Sequence, residues 1–133
     1  MIRKQITLAL VALTMVLAMV TQASADCRRK ITLSPSSAGD QIDASGTAKV
    51  RARGTADQRF GVSIDARVAD GTTFAVFANG QLAGTITIAL GAGELDLNNH
   101  NGNVLPAGTD PVCSIKSVEV KDGSGTVILS GSF

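Results

Sequence analysis

The chain has 133 residues, of which 44% are hydrophobic and 17% charged, with 14 glycines, two cysteines, one histidine, four phenylalanines and neither tryptophan nor tyrosine. That length makes one domain at most; the hydrophobic content excludes a disordered chain, and the aperiodic glycines exclude a collagen-like one. A formal charge of +1 supplies no global field for nucleic acid.

Arg3 and Lys4 precede an uncharged, largely apolar run over 6–20, and a short polar stretch then ends in Ala23-Ser24-Ala25. This pattern predicts a secretory signal peptide over 1–25, cleaved before Asp26, because a signal peptidase accepts small side chains at −3 and −1. The apolar run is 15 residues long, shorter than the roughly 20 that cross a bilayer as a helix, so no membrane span is expected after cleavage. The mature domain is then 26–133, periplasmic or extracellular. Losing Arg3 and Lys4 takes the basic residues from 12 to 10 against 11 acidic ones, a formal charge of −1.

Cys27 and Cys113 both lie in the exported part. An even pair in a compartment that permits disulfides predicts one bridge. Two cysteines so far apart, without a Cys-x-x-Cys, make a poor metal site.

Beyond Cys27 the dominant hydrophobic period is two, broken by glycine and Asx turns at short intervals, the mark of consecutive antiparallel strands. Ile31 and Leu33 alternate in a first short strand, and 34–43 reads as a loop. Over 47–53, Ala48, Val50 and Ala52 take one face while Lys49, Arg51 and Arg53 take the other. Phe60, Val62, Ile64, Ala66 and Val68 alternate with Arg59, Gly61, Ser63, Asp65 and Arg67 in the cleanest amphipathic strand. In 72–78, Phe74 and Val76 oppose Ala75 and Phe77, so both faces are expected to be partly covered.

Asn79-Gly80 is the strongest short-range hairpin signal, since a type I′ turn needs positive φ at both central residues. It leads into a strand over 82–90 with Leu82, Gly84, Ile86, Ile88 and Leu90 on one face, followed by a Gly91-Ala92-Gly93 turn and a short strand with Leu95 and Leu97 inward. Residues 98–111 show no period and read as a long surface loop. Ile115 falls out of phase with Val118 and Val120, which suggests a bulge. Asp122-Gly123-Ser124-Gly125 turns into a last strand with Val127, Leu129 and Phe133 on one face. No helical period of useful length follows residue 25. About eight short strands predict an all-β domain, an antiparallel two-sheet, Ig-like β-sandwich over 26–133, with a small β-barrel as the alternative.

The succession Ser45-Gly46-Thr47-Ala48-Lys49-Val50-Arg51, Phe74-Ala75-Val76-Phe77-Ala78-Asn79-Gly80, Gly91-Ala92-Gly93-Glu94-Leu95 and 125–133 resembles small, uncharacterised exported β-rich proteins of environmental bacteria. The resemblance implies fold and export and carries over no functional residues.

Three clusters are candidate sites. Asp96, Asn98, His100 and Asn101 place oxygen and imidazole donors close together, as calcium loops do. Position six of an EF-hand count from Asp96 is Asn101 where glycine belongs, and position twelve is Ala107 where glutamate belongs. A plain Asx-rich turn accounts for the same residues. His100 is also the sole candidate base for a small hydrolase, yet Gly123-Ser124-Gly125 is hairpin chemistry and not a nucleophile elbow. Lys49, Arg51 and Arg53, with Arg59 and Arg67 on the next strand, form a candidate polyanion-binding face for lipopolysaccharide or acidic polysaccharide. The competing reading is an ordinary solvated face with cross-strand ion pairs.

The sequence therefore points to an exported, non-catalytic binding or structural domain whose partner is a protein or a cell-envelope component, without nucleic acid. A weak calcium-binding domain and a His100-centred hydrolase are the alternatives. Beyond that calcium, no cofactor is implied.

Overall fold

Two strands that follow one another in the chain, Gln81–Thr87 and Ala92–Asn98, form opposite edges of the sheet, and that one fact shapes the protein. The computed structural model describes residues 26–133, so the signal peptide expected over 1–25 lies outside the described residues. The elements are β1 (Cys27–Pro35), helix α1 (Ser37–Gln41), β2 (Ser45–Arg53), β3 (Asp57–Asp65), β4 (Thr73–Ala78), β5 (Gln81–Thr87), β6 (Ala92–Asn98), a 3-10 turn (Val112–Ser114), β7 (Ser117–Lys121) and β8 (Val127–Ser132). All strand pairs are antiparallel, in the order β5-β4-β7-β8-β1-β2-β3-β6. A turn at Leu90 and Gly91, both at positive φ, joins β5 to β6 through the single bridge Ala89↔Ala92. Edges tied by so short a link cannot lie apart. The sheet curls until they meet, giving one nearly closed, barrel-like sheet.

The expected two-sheet sandwich is thus corrected to a single sheet, close to the small barrel weighed beside it. The physical reason is β1. Its residues 27–33 pair with β2, whereas Ser34 and Pro35, expected in a loop, pair with Ser130 and Leu129 of β8. One strand therefore carries the hydrogen-bond ladder from one half to the other. The rest of that expected loop holds α1, whose N-cap Ser36 accepts the Gly39 N–H through Oγ at 3.1 Å.

Two bulges correct the expected strand faces. Val76 pairs with Gly84 but Phe77 with Leu82, so Ala83 is the extra residue and the phase flips there. Ala83 is buried while Leu82 is 56% exposed, and Leu90 lies past the strand at 92%. In β8, Val120 pairs with Leu129 and Lys121 with Val127. The extra residue is Ile128, so Ile128 and Leu129 are both buried and Val127 sits half-out. The freed Ile128 carbonyl accepts the Ser36 N–H at 3.0 Å, and a Cβ at Gly39 would overlap that same oxygen. The bulge expected between Ile115 and Val118 is absent; the 3-10 turn breaks the phase instead.

Other expectations stand. Asn79 and Gly80 have φ of 50° and 78°, as a I′ turn requires. The inward residues of β2 and β3, Ala48, Val50, Ala52, Phe60, Val62 and Ile64, are all buried. Phe77 is half-buried on the outer face, where the Lys121 ammonium lies 4.4 Å from its ring centroid.

The stretch 98–111, expected as a surface loop, is in part buried, as are the residues just after it. Leu105, Thr109, Val112 and Ile115 are buried. Gln58, only 3% exposed on β3, accepts the Val112 N–H at 2.8 Å and donates to the Thr55 carbonyl at 3.2 Å. Gln58→Ala leaves that buried N–H without an acceptor, which costs about 1–3 kcal/mol. Urea denaturation should show the midpoint falling; an unchanged midpoint would mean that water replaces the amide without loss.

Candidate functional site

Alternation along β2 sends Lys49, Arg51 and Arg53 outward, and the register then decides what stands beside them. Arg51 lies between Arg28 of β1 and Arg59 of β3, and Lys49 between Lys30 of β1 and Gly61 of β3. Two adjacent rows result, Arg28–Arg51–Arg59 and Lys30–Lys49–Gly61. The next row in the same phase is all hydroxyl: Thr32, Thr47 and Ser63. Arg28, Lys30, Lys49, Arg51 and Arg59 line a basin of about 520 Å³, with Arg29 and Val50 between them along the strands.

Like charges directly opposite on neighbouring strands repel. At 0.15 M salt the Debye length is about 8 Å, longer than the roughly 4.8 Å between strands, so screening does not remove the repulsion. Compensation is thin and lies at the rim. Asp96, opposite Gly61 on β6, reaches Arg59 Nε at 3.6 Å. Asp57, opposite Arg53, feels both Arg51 and Arg53. Among the described residues, Arg28, Lys30, Lys49 and Arg51 form no ion pair within 4 Å.

Of the five cations expected on this face, the structure brings together Lys49, Arg51 and Arg59. Arg53 stands one step beyond, against Asp57. Arg67 follows the end of β3 and pairs with Asp43 at 3.4 Å, outside the array. Arg28 and Lys30 were missed. In Arg28-Arg29-Lys30, strand alternation puts the first and third residues on one face, but only the β1–β2 register shows that this face continues the cations of β2. Arg29, in the opposite phase, donates to the Cys113 carbonyl at 3.0 Å and lies 5.6 Å from the Phe133 ring centroid.

The expected calcium donors are arranged otherwise than in a loop. Asp96 and Asn98 belong to β6, opposite Gly61 and Arg59. Asn98 Oδ1 accepts the His100 N–H at 3.0 Å and an Asn103 side-chain N–H at 3.2 Å. His100 Nε2 donates to Asp57 Oδ1 at 2.7 Å, and Asn101 is exposed at a φ of 54°. Among the described residues no three His, Cys, Asp or Glu side chains gather as a metal site. No hydroxyl or thiol among them hydrogen-bonds the His100 ring.

The His100 hydrogen bond, followed by the positive charges around it, holds the Asp57 carboxyl below its ordinary range. The Ser124 hydroxyl and then the Thr126 N–H do the same for Asp122. A carboxyl depressed in the folded state contributes stability above its unfolded value of about 3.9, and that contribution disappears as pH falls through the lower folded value. Stability should therefore fall below about pH 4, less steeply in Asp57→Asn. Thermal melts at pH 7, 4 and 2.5 test this; parallel profiles would remove the Asp57 contribution.

Cys27 and Cys113 form the expected disulfide across a sequence separation of 86, a bond compatible with export. No helix among the described residues is long and apolar enough to cross a membrane. No family model matches the chain, and no curated protein or solved structure shows significant similarity to it.

Proposed function

We propose that residues 26–133 form an exported, non-catalytic binding module that engages an anionic component of the cell envelope or exterior through the outer face of β1, β2 and β3. One observation carries this reading: five cations, Arg28, Lys30, Lys49, Arg51 and Arg59, stand in register on three adjacent strands with acidic partners only at the rim. A solvated structural face alternates signs across strands, because opposite charges attract there and like charges cost stability. An anion bound to the folded state offsets that repulsion and stabilises the fold by mass action. The scarcity of exposed aromatic rings argues against a stacking platform for neutral sugars or single-stranded nucleic acid.

Binding of the mature, disulfide-bonded chain to dextran sulfate tests the reading, with calorimetry between 50 and 300 mM salt. Affinity should fall steeply with salt. Lys49→Ser with Arg51→Ser should weaken it at least tenfold, and Lys116→Ser with Arg67→Ser, charge-matched and outside the array, should leave it nearly unchanged. Equal losses in both double variants would reduce the effect to net charge and overturn the assignment of the face.

A further inference from the structure

The array is compact, and its shape selects among anions. Three strands spaced roughly 4.8 Å apart, with successive outward residues about 6.7 Å apart along each, confine the five cations to a patch of about 10 by 7 Å at the backbone. Acidic residues close off its β6 side: Asp96 stands beside Gly61 and Glu94 beside Ser63. A long polyanion crossing the face would meet these carboxylates. A small group carrying several charges, seated on Arg28, Lys30, Lys49 and Arg51, would meet a carboxylate only where Asp96 reaches Arg59.

Residue type narrows the choice further. The row Arg28–Arg51–Arg59 presents three guanidinium groups, whose planar forks match phosphate oxygens in pairs. The row Lys30–Lys49 adds two point charges. Its third position, Gly61, has no side chain, and the Lys49 stem lies alongside, 3.4 Å from where a Cβ would stand. On the far side of the lysines, Thr32, Thr47 and Ser63 form the hydroxyl row, able to donate to and accept from hydroxyl groups of whatever bears the phosphates.

We infer that this face is a diphosphoryl site, taking a pyrophosphate or a pair of phosphate monoesters whose hydroxyl-bearing carrier lies on the Thr32–Thr47–Ser63 row. The inference rests on the anion-binding reading above and adds the chemical class. Sugar and lipid headgroup carriers share this chemistry.

Calorimetry of the mature, disulfide-bonded chain at 0.15 M salt tests it with sodium pyrophosphate, fructose 1,6-bisphosphate and citrate. The two phosphate probes should bind at least tenfold more tightly than citrate, a tricarboxylate of comparable charge. Gly61→Lys completes the lattice and should tighten pyrophosphate several-fold. Gly61→Asp should weaken it at least tenfold, and Gly61→Ala should change little. The Cβ of each variant meets only ordinary contacts; circular dichroism verifies the fold, and the gain in Gly61→Lys stays informative should Gly61→Asp misfold. Thr47→Val should weaken the sugar bisphosphate but not pyrophosphate. Phosphatidylcholine vesicles containing phosphatidic acid separate the sources: tighter binding there than to the free bisphosphate assigns a lipid carrier, and weaker binding a soluble one. Citrate binding as tightly as pyrophosphate, with dextran sulfate binding intact, overturns the diphosphoryl site alone. Loss of every anion, dextran sulfate included, overturns the anion-binding reading with it.

Discussion

Replacing Cys27 and Cys113 together by serine should lower the unfolding free energy by about 2–5 kcal/mol, the range for removing a native bridge from a small domain. The bridge spans a sequence separation of 86, for which the chain-entropy relation gives about 4–5 kcal/mol before native strain and residual unfolded structure are subtracted. Its position adds a local effect. Residues 27–33 of β1 pair with β2, and β1 does not reach β8 until Ser34. The disulfide fastens this half-paired end to the 3-10 turn, whose Val112 is buried. Amides of β1 before residue 32 and of the segment around Val112 should then exchange faster than those of β3 or β4. Since Arg28 and Lys30 ride on the released segment, anion affinity should fall as well. Urea titration of the double-serine variant beside the oxidised chain is the measurement. Coincident transitions would show that the bridge contributes nothing to stability.

Phe60→Ala should cost about 3–5 kcal/mol and lower Tm by roughly 10–20 °C. Phe60 is fully buried, paired with Val50 of β2 and Leu97 of β6, at the middle of the strands that carry the cations. Removing the ring loses its transfer free energy and leaves a cavity in a sheet whose curvature limits collapse. Ser63→Ala, three residues away and exposed on the same strand, should change stability by no more than about 0.5 kcal/mol. Calorimetric melts of both variants check the pair. A loss below about 1 kcal/mol for Phe60→Ala would mean that neighbouring side chains refill the site.

Local rules made much of this protein legible. Period-two alternation in 47–53 and 59–67 determined which residues face inward, because a strand has only two faces and one must be buried. Asn79-Gly80 determined its hairpin, because positive φ at both positions suits few other dipeptides. The cysteine count left one possible bridge. Where a single residue breaks the alternation, at Ala83 and Ile128, the faces after it could not be read, because a bulge is set by the neighbouring strand and has no local signature here.

What joins distant segments was decided by tertiary structure. Ser34 and Pro35 look like loop residues and become strand because β8 offers them partners. That pairing turns two sheets into one, and the short turn at Leu90 and Gly91 curls it until its edges meet. The functional face has the same origin. Lys49, Arg51 and Arg59 were visible by alternation, but Arg28 and Lys30 joined them, and Arg53 and Arg67 left, through strand register and ion pairing. Register is fixed by the whole buried face of a strand against its neighbour, so the charges beside one another on the outside follow from packing on the inside.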